Sequence, residues 1–478
     1  MLWIRKHWRV IAIGAAVLLY LFLAFNRLSR QDALPDEAYT LFAAEKTPFY
    51  LIIDRVMAGH VPLYFLLVHA LLVLKAPASL PVLIAPSILF GLGGLLLFYH
   101  LALKLQLGGW SVLGAFLWAV HPTVLFHCRL ARPSAGALLL ECAMLLLVCG
   151  FYRQRPARVR VVLLLAVGCI GSLWIHLLAA NWLVIILLLL VKRVRASFDP
   201  RLLPICVTCL LLHGLGLALC SWLSPLALSW IPKPTFQSGL EVLWQTWGAE
   251  GNYLNKFDWP WLLAAVLAIT WLITLLRLLT RRTQNELWII IHCTAVVPVF
   301  AMIVISLVQP MLHQRYLMHF VPPLILCLLH LLNTLQPNTT ATCSAILVLG
   351  LASFDRKHYR LHETGMRGGI EKLEELTSGR NDLGVSYQIT FPQMLTLFAK
   401  RPHSILQLEP SKSNETLRPK IRAHLDRGGV LWELTPQWFV TKLWNEMGET
   451  TGEARYQKSY PLFVIRIYSN QPLPIPPT

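Results

Sequence analysis

Acidic residues are few in this chain. It carries 24 Asp and Glu against 42 Lys and Arg, and charged residues of either sign make up only 14% of it. A soluble domain carries nearer a quarter, roughly 25%. With 56% hydrophobic residues over 478 positions, that shortage excludes an ordinary soluble class and leaves a polytopic membrane chain. Other absences narrow it further. No small-residue cleavage site follows the first apolar run, so that run is not expected to be a cleaved signal. No glycine-rich phosphate fingerprint occurs, so no nucleotide cradle is expected. No internal repeat shows, which counts against the repeated halves common in transporters. The ten cysteines are scattered, most of them inside apolar runs, and read as small buried hydrophobes. The one CxxC, Cys206 and Cys209, lies within such a run and has no second pair.

Long apolar runs are what the chain has in plenty. VIAIGAAVLLYLFLAF at 10–25 and WIIIHCTAVVPVFAMIVISLV at 288–308 approach or reach the roughly 20 residues of a spanning helix. Such runs fall at about 9–28, 61–76, 82–103, 110–127, 134–151, 161–176, 178–191, 203–223, 260–279, 287–308, 316–334 and 340–354. Basic residues cluster between them: Arg5, Lys6 and Arg9; Arg153, Arg155, Arg158 and Arg160; Lys192, Arg193, Arg195 and Arg201; Arg277, Arg281 and Arg282. This is the positive-inside pattern, and it accounts for the net charge of +18 without nucleic acid. It places those loops and the N-terminus in the cytoplasm; the expected location is the cell inner (plasma) membrane, among membrane lipids. One count does not close. Four apolar segments lie between the first span and Arg153, an even number where an odd one is needed, so one of them is re-entrant, interfacial or half of a broken helix.

Composition shifts near residue 355. The last 124 residues hold 17 of the Lys/Arg and 13 of the Asp/Glu, so charge is nearly balanced there. GGIEKLEELTS and RPKIRAHLDRGG read as amphipathic helices, and LGVSYQIT, HSILQL, GGVLWEL and YPLFVIRIYS as strands. The expected organisation is a mainly α, polytopic membrane domain over 1–354 with about 11–12 apolar segments. An extracytoplasmic α/β accessory domain follows over 355–478.

Four places carry polar groups that an apolar chain would not keep without reason. Asp36 and Glu37, followed by Tyr39, fall in the loop after the first span, together with Asp32, Glu45 and Asp54. A solvated loop explains the wider set; chemistry is the alternative for the adjacent pair. His60, Pro62 and Tyr64 open the second apolar run. Proline there is ordinary helix-start geometry, and His60 is either an interfacial polar residue or a hydrogen-bond donor to a phosphate. Arg129 and Arg132 are flanked by apolar residues on both sides. Boundary arginines snorkel, whereas an intramembrane arginine points to function, and its fork suits bidentate phosphate contact. His313, Arg315 and Tyr316 form a basic exterior loop, against the positive-inside trend.

Taken in order, these motifs resemble one family. DEAYT after the first span, H-x-P-L-Y-F-L-L-x-H from His60, the A-R of Ala131-Arg132, and R-Y-L from Arg315 before Pro322-Pro323-Leu324 look like the GT-C fold glycosyltransferases that use polyprenyl-phosphate sugars. That superfamily includes the protein O-mannosyltransferases (family 39), the aminoarabinose transferases and the Rgt-type enzymes. The last group's HPPLYYLLLH and QEARMYALL patterns are the nearest. The likeness covers about 30–150 and returns near 313–324. Val61 replaces a proline of the pattern, Leu130 stands in place of the alanine-preceding glutamate, and Pro133-Ser134 replace M-Y. The resemblance implies a polyprenyl-phosphate-linked sugar donor and an extracytoplasmic glycan, lipid or protein acceptor, joined with inversion. It implies Asp36 as general base with Glu37 assisting, and His60, Tyr64, Arg129, Arg132, His313, Arg315 and Tyr316 as substrate-binding residues. It leaves room for a divalent cation, Mg²⁺ or Mn²⁺, held by oxygen ligands. A membrane transporter and a non-catalytic scaffold of the same fold stay open as rivals.

Overall fold

The computed structural model describes residues 2–26, 28, 31–32, 35–174, 178–223, 235, 237, 239, 241–242, 260–280, 285–308, 314–335, 366–378, 382–386, 391–399, 403–407, 418–436, 456–459 and 463–469. Two compact units result. The first comprises Met1–Leu28, Lys46–Ala70 and Ile84–His358; the second comprises Ser29–Glu45, Leu71–Leu83 and Tyr359–Thr478. The acidic loop, which by sequence order sits inside 1–354, therefore belongs with the C-terminal residues.

The first unit is helical. Its elements include α1 (Leu2–Phe25), α3 (Pro48–Met57), most of α4 (Leu63–Val73) and of α5 (Leu80–Lys104), α6 (Trp110–Val120), α7 (Pro122–Cys128), α8 (Ser134–Cys149), α9 (Arg158–Trp174), α10 (Ala179–Leu190), α11 (Lys192–Ala196) and α12 (Leu202–Leu223). They continue as α13 (Pro260–Leu279), α14 (Glu286–Val308), the short α15 (Gln314–Leu317) and α16 (Val321–Leu335). Among the described residues, five helices are long and apolar enough to cross a membrane. The α6–α7 pair makes a sixth if its 56° bend lies within one span. The sequence explains that bend. Pro122 bars the residue before it from helical geometry, and His121 sits extended at φ −67, ψ 120. The expected span at 340–354 lies outside the described residues.

The helix ends of this unit fall into two groups. At one end the basic loops gather on Glu286. Its carboxylate accepts from Arg193 Nε at 3.2 Å and from Tyr152 Oη at 3.2 Å, and lies 3.5 Å from Arg153. Arg160 donates to the Gly150 carbonyl at the same end, at 2.9 Å. At the opposite end Arg129 lies near the Leu23 carbonyl, and Arg132 near Ser87. Between the end of α1 and Arg153 the chain thus runs from one group of ends to the other three times, on α5, on α6–α7 and on α8, although α8, at 16 residues, is shorter than the candidate spans. The fourth segment, α4, has 11 residues. At 1.5 Å per residue it reaches about 16 Å, half of a roughly 30 Å hydrocarbon core.

The second unit is α/β. A five-stranded sheet runs in the order β2 (Ser404–Gln407), β1 (Asp382–Ser386), β3 (Val430–Pro436), β5 (Phe463–Ser469), β4 (Tyr456–Ser459). The first three strands are parallel and the last two pairings antiparallel. Helices α17 (Met366–Thr377), α18 (Phe391–Phe398) and α19 (Arg418–Asp426) connect or precede the parallel strands. The four strands and two helices expected from sequence are present; α18 and β4 are additional. Gly384 is required where it stands. It pairs with Trp432 on β3, and a Cβ there would fall 2.3 Å from the Trp432 ring. His403, with its side chain fully buried, bonds Asp382 at 2.8 Å and lies 3.6 Å from Glu374, tying the start of β2 to β1 and α17. Replacing His403 with Ala is expected to destabilise this unit by about 1–3 kcal/mol, the scale of a lost buried hydrogen bond. A lowered unfolding midpoint in detergent, with the helical signal unchanged at low temperature, is the check.

Candidate active site

The acidic pair lies on α2 (Pro35–Ala44), a ten-residue helix of the second unit. Pro35 begins the helix and both carboxylates fall in its first turn, where the helix dipole favours negative charge. Asp36 is half-buried, while Glu37 is 0% exposed. Thr40 Oγ1 donates to the Asp36 carbonyl at 3.2 Å, closing the first turn. Ala38, Leu41, Ala43 and Ala44 bury the apolar face. The neighbouring acids behave differently. Asp32 is buried, and its Oδ1 accepts the Arg367 backbone N–H at 3.0 Å; Glu45 accepts from Gln393 Nε2 at 2.9 Å. Asp32 and Glu45 are thus both hydrogen-bonded within the unit, Asp32 buried and Glu45 exposed.

The second constellation belongs to the first unit and centres on the turn between α7 and α8. Arg129 and Arg132 are only 7% and 8% exposed. The backbone of this turn is held by side chains from other helices. Ser87 Oγ donates to the Arg132 carbonyl at 3.2 Å, and Trp174 Nε1 donates to the Pro133 carbonyl at 2.6 Å. Tyr64 Oη and Ser87 Oγ share a hydrogen bond of 2.9 Å, and the Tyr64 ring meets Trp174 edge to face with centroids 5.7 Å apart. Gly136, just inside α8, admits the indole: a Cβ there would lie 2.3 Å from Trp174. Tyr64 is 0% exposed, and the structure brings it to Arg132 through Ser87. Neither Ser87 nor Trp174 was singled out by the sequence, which showed no motif at either position. Trp174→Phe keeps most of the packing but removes the donor to Pro133. It should lower the unfolding midpoint by the equivalent of about 1 kcal/mol, while Phe90→Leu, which touches only the ring, leaves the Pro133 bond in place.

His60 follows α3 and is partly exposed. Its backbone N–H donates to the Arg55 carbonyl at 2.8 Å, and its ring lies 6.1 Å from Phe65, with the Arg55 guanidinium 5.3 Å from the same ring. Arg55 in turn bonds Asp54 through Nε at 2.9 Å, and Lys46 Nζ holds the other Asp54 oxygen at 2.6 Å. Burial pushes the Asp54 carboxyl up, but the hydrogen bonds from Lys46 and Arg55 outweigh it and hold the group below its ordinary value. A carboxyl depressed by folding stabilises fully above its unfolded value, near about pH 4. That contribution disappears as pH falls through the folded value. Stability against pH in detergent should therefore fall on the acid side in the wild type, with a shallower fall in Asp54→Asn.

The remaining expected residues are less defined. His313 lies outside the described residues, and for Arg315 only the backbone, in α15, is described. Tyr316 packs partly buried against Val299, Met302, Leu317 and Phe320. Among the described residues no group of three or more His, Cys, Asp or Glu side chains is placed to hold a metal ion.

No protein-family model matches the chain, and no curated protein matches it. Among solved structures it is similar to ArnT from Cupriavidus metallidurans in the apo state, at 12% identity and a TM-score of 0.43, over 97% of this chain and 98% of that one. The same ArnT bound to undecaprenyl phosphate matches at 12% identity and a TM-score of 0.40, with the same coverage. The arabinofuranosyltransferase AftD from Mycobacteria matches at 15% identity and a TM-score of 0.48, over 98% of this chain but 40% of AftD. At these identities and scores the likenesses carry no weight on function.

Proposed function

We propose that this chain is an integral-membrane glycosyltransferase that moves a sugar from a polyprenyl-phosphate donor to an extracytoplasmic hydroxyl acceptor, with inversion. The observation that supports it most directly is the arginine turn: two buried guanidinium groups at a backbone break inside an apolar helical unit. A guanidinium presents a planar fork that matches the oxygens of a phosphate. A lipid phosphate at the membrane boundary offers such oxygens, and it is also the leaving group of this reaction. The motif order shared with the polyprenyl-phosphate-dependent transferases points the same way.

The chemistry assigns roles to residue types. The acceptor oxygen attacks the anomeric carbon as the bond from that carbon to the phosphate oxygen breaks. The acceptor proton passes to a carboxylate, for which Asp36, half-buried in the first turn of α2, is the choice. Glu37, fully buried beside it, orients the helix turn and the acceptor rather than receiving the proton. The lipid phosphate leaves carrying the negative charge, and Arg132, with Arg129, His60 and Arg315, stabilises it as it develops. Attack opposite the leaving group gives inversion. The N-terminus is cytoplasmic and the second unit extracytoplasmic in this proposal, following the basic loops gathered on Glu286.

Membranes containing the protein, incubated with a labelled polyprenyl-phosphate sugar, should yield a labelled product. Asp36→Asn should reduce transfer by about a hundredfold or more, and Arg132→Lys, which keeps charge but loses the fork, by about tenfold or more. Both variants should reach the membrane in wild-type amount. Wild-type transfer by Asp36→Asn would remove the base assignment. Movement of the labelled lipid across the bilayer without a new product would favour a transporter instead.

A further inference from the structure

The C-terminal domain does more than accompany the acidic helix. Helix α2 has ten residues, too short to hold its shape in isolation in water. A general base, however, has to be fixed closely against the bond it serves. The buried apolar face of α2 supplies part of the stiffness, and both flanks are gripped as well. Ahead of the helix, Asp32 accepts the backbone N–H of Arg367 at the N-terminus of α17, at 3.0 Å, where the helix dipole favours a carboxylate. The Arg367 side chain also donates to the Gln31 carbonyl at 3.3 Å and lies 5.0 Å from the Phe398 ring, so it joins α17, α18 and the entry to α2. Behind the helix, Gln393 on α18 donates to Glu45 at 2.9 Å, immediately after the last helical residue. Asp32 and Gln393 are both buried, so each flank bond is held on one side by a packed side chain. All of these groups lie in the second unit.

We infer that Arg367 and Gln393 are positioning residues for glycosyl transfer: α17 and α18 clamp the two flanks of α2, through Asp32 and Glu45, and so set where the Asp36 carboxylate points. The inference rests on the proposal that Asp36 is the base, but the clamp can be measured apart from it. Neither Arg367 nor Gln393 is assigned any contact with substrate.

The test uses the full-length protein in detergent or nanodiscs, with a labelled polyprenyl-phosphate sugar as donor. Gln393→Ala and Asp32→Ala should each lower kcat about ten- to a hundredfold, with KM for the donor changing by less than about twofold. Amide hydrogen exchange across 35–44 should quicken in both, while exchange in the five strands stays as in the wild type. The exchanged pair Glu45→Gln with Gln393→Glu rebuilds the bond with donor and acceptor reversed, and should recover most of the lost kcat and the slow exchange. Wild-type kcat in both single variants would overturn the inference. So would slowed catalysis with unchanged exchange over 35–44, or an exchanged pair no better than Gln393→Ala. Asp36→Asn is run alongside. Full activity in that variant removes the base assignment, whereas an inactive Asp36→Asn beside fully active clamp variants removes the clamp alone.

Discussion

A backbone that breaks inside an apolar environment has to find its hydrogen bonds from side chains, because no water is there to supply them. The turn between α7 and α8 is such a break, and its carbonyls at Arg132 and Pro133 are met by Ser87 and Trp174. Much of the first unit follows from that need. Tyr64 is buried because it shares its hydroxyl with Ser87. Gly136 stays small because the Trp174 ring occupies the space beside it. Through Tyr64 the short α4 is tied to this turn. One constraint, satisfied by three helices at once, fixes the two arginines that the turn carries.

The chain manages charge by the same economy. Its few acids are concentrated where they hold something. Glu286 gathers Arg193 and Tyr152 with Arg153 nearby, at the end where the positive loops would otherwise repel one another. Asp54 joins Lys46 and Arg55 beneath His60. Asp32 and Glu45 flank α2. An acid surrounded by so much apolar and basic sequence stabilises a specific junction.

How much of this was legible in the sequence depends on the range of the interaction. Apolar runs and basic loops are local signals, and they marked the helices and the shared basic end. Alternating patterns marked β1, β2, β3 and β5, while β4, four residues with two of them charged or amidic, left too short a pattern to see. Pro122 was visible as a helix-start residue, but its 56° consequence depends on how α6 and α7 pack. The candidate site was legible only where motifs carried it. Ser87 and Trp174 were invisible because an isolated serine or tryptophan in an apolar helix says nothing until its partner carbonyl is known. The anchoring of Asp32 and Glu45 was equally hidden, since their partners lie 335 and 348 residues further along.

That separation has a consequence for how the protein comes into being. Helix α2 emerges early from the ribosome, but its partners on α17 and α18 emerge only when most of the chain has been made. Through all the intervening synthesis and membrane insertion the acidic helix has no clamp. Its final geometry is set in one late event, when the C-terminal domain folds. An unfinished chain thus holds its acidic pair in a short segment that lacks both of these bonds.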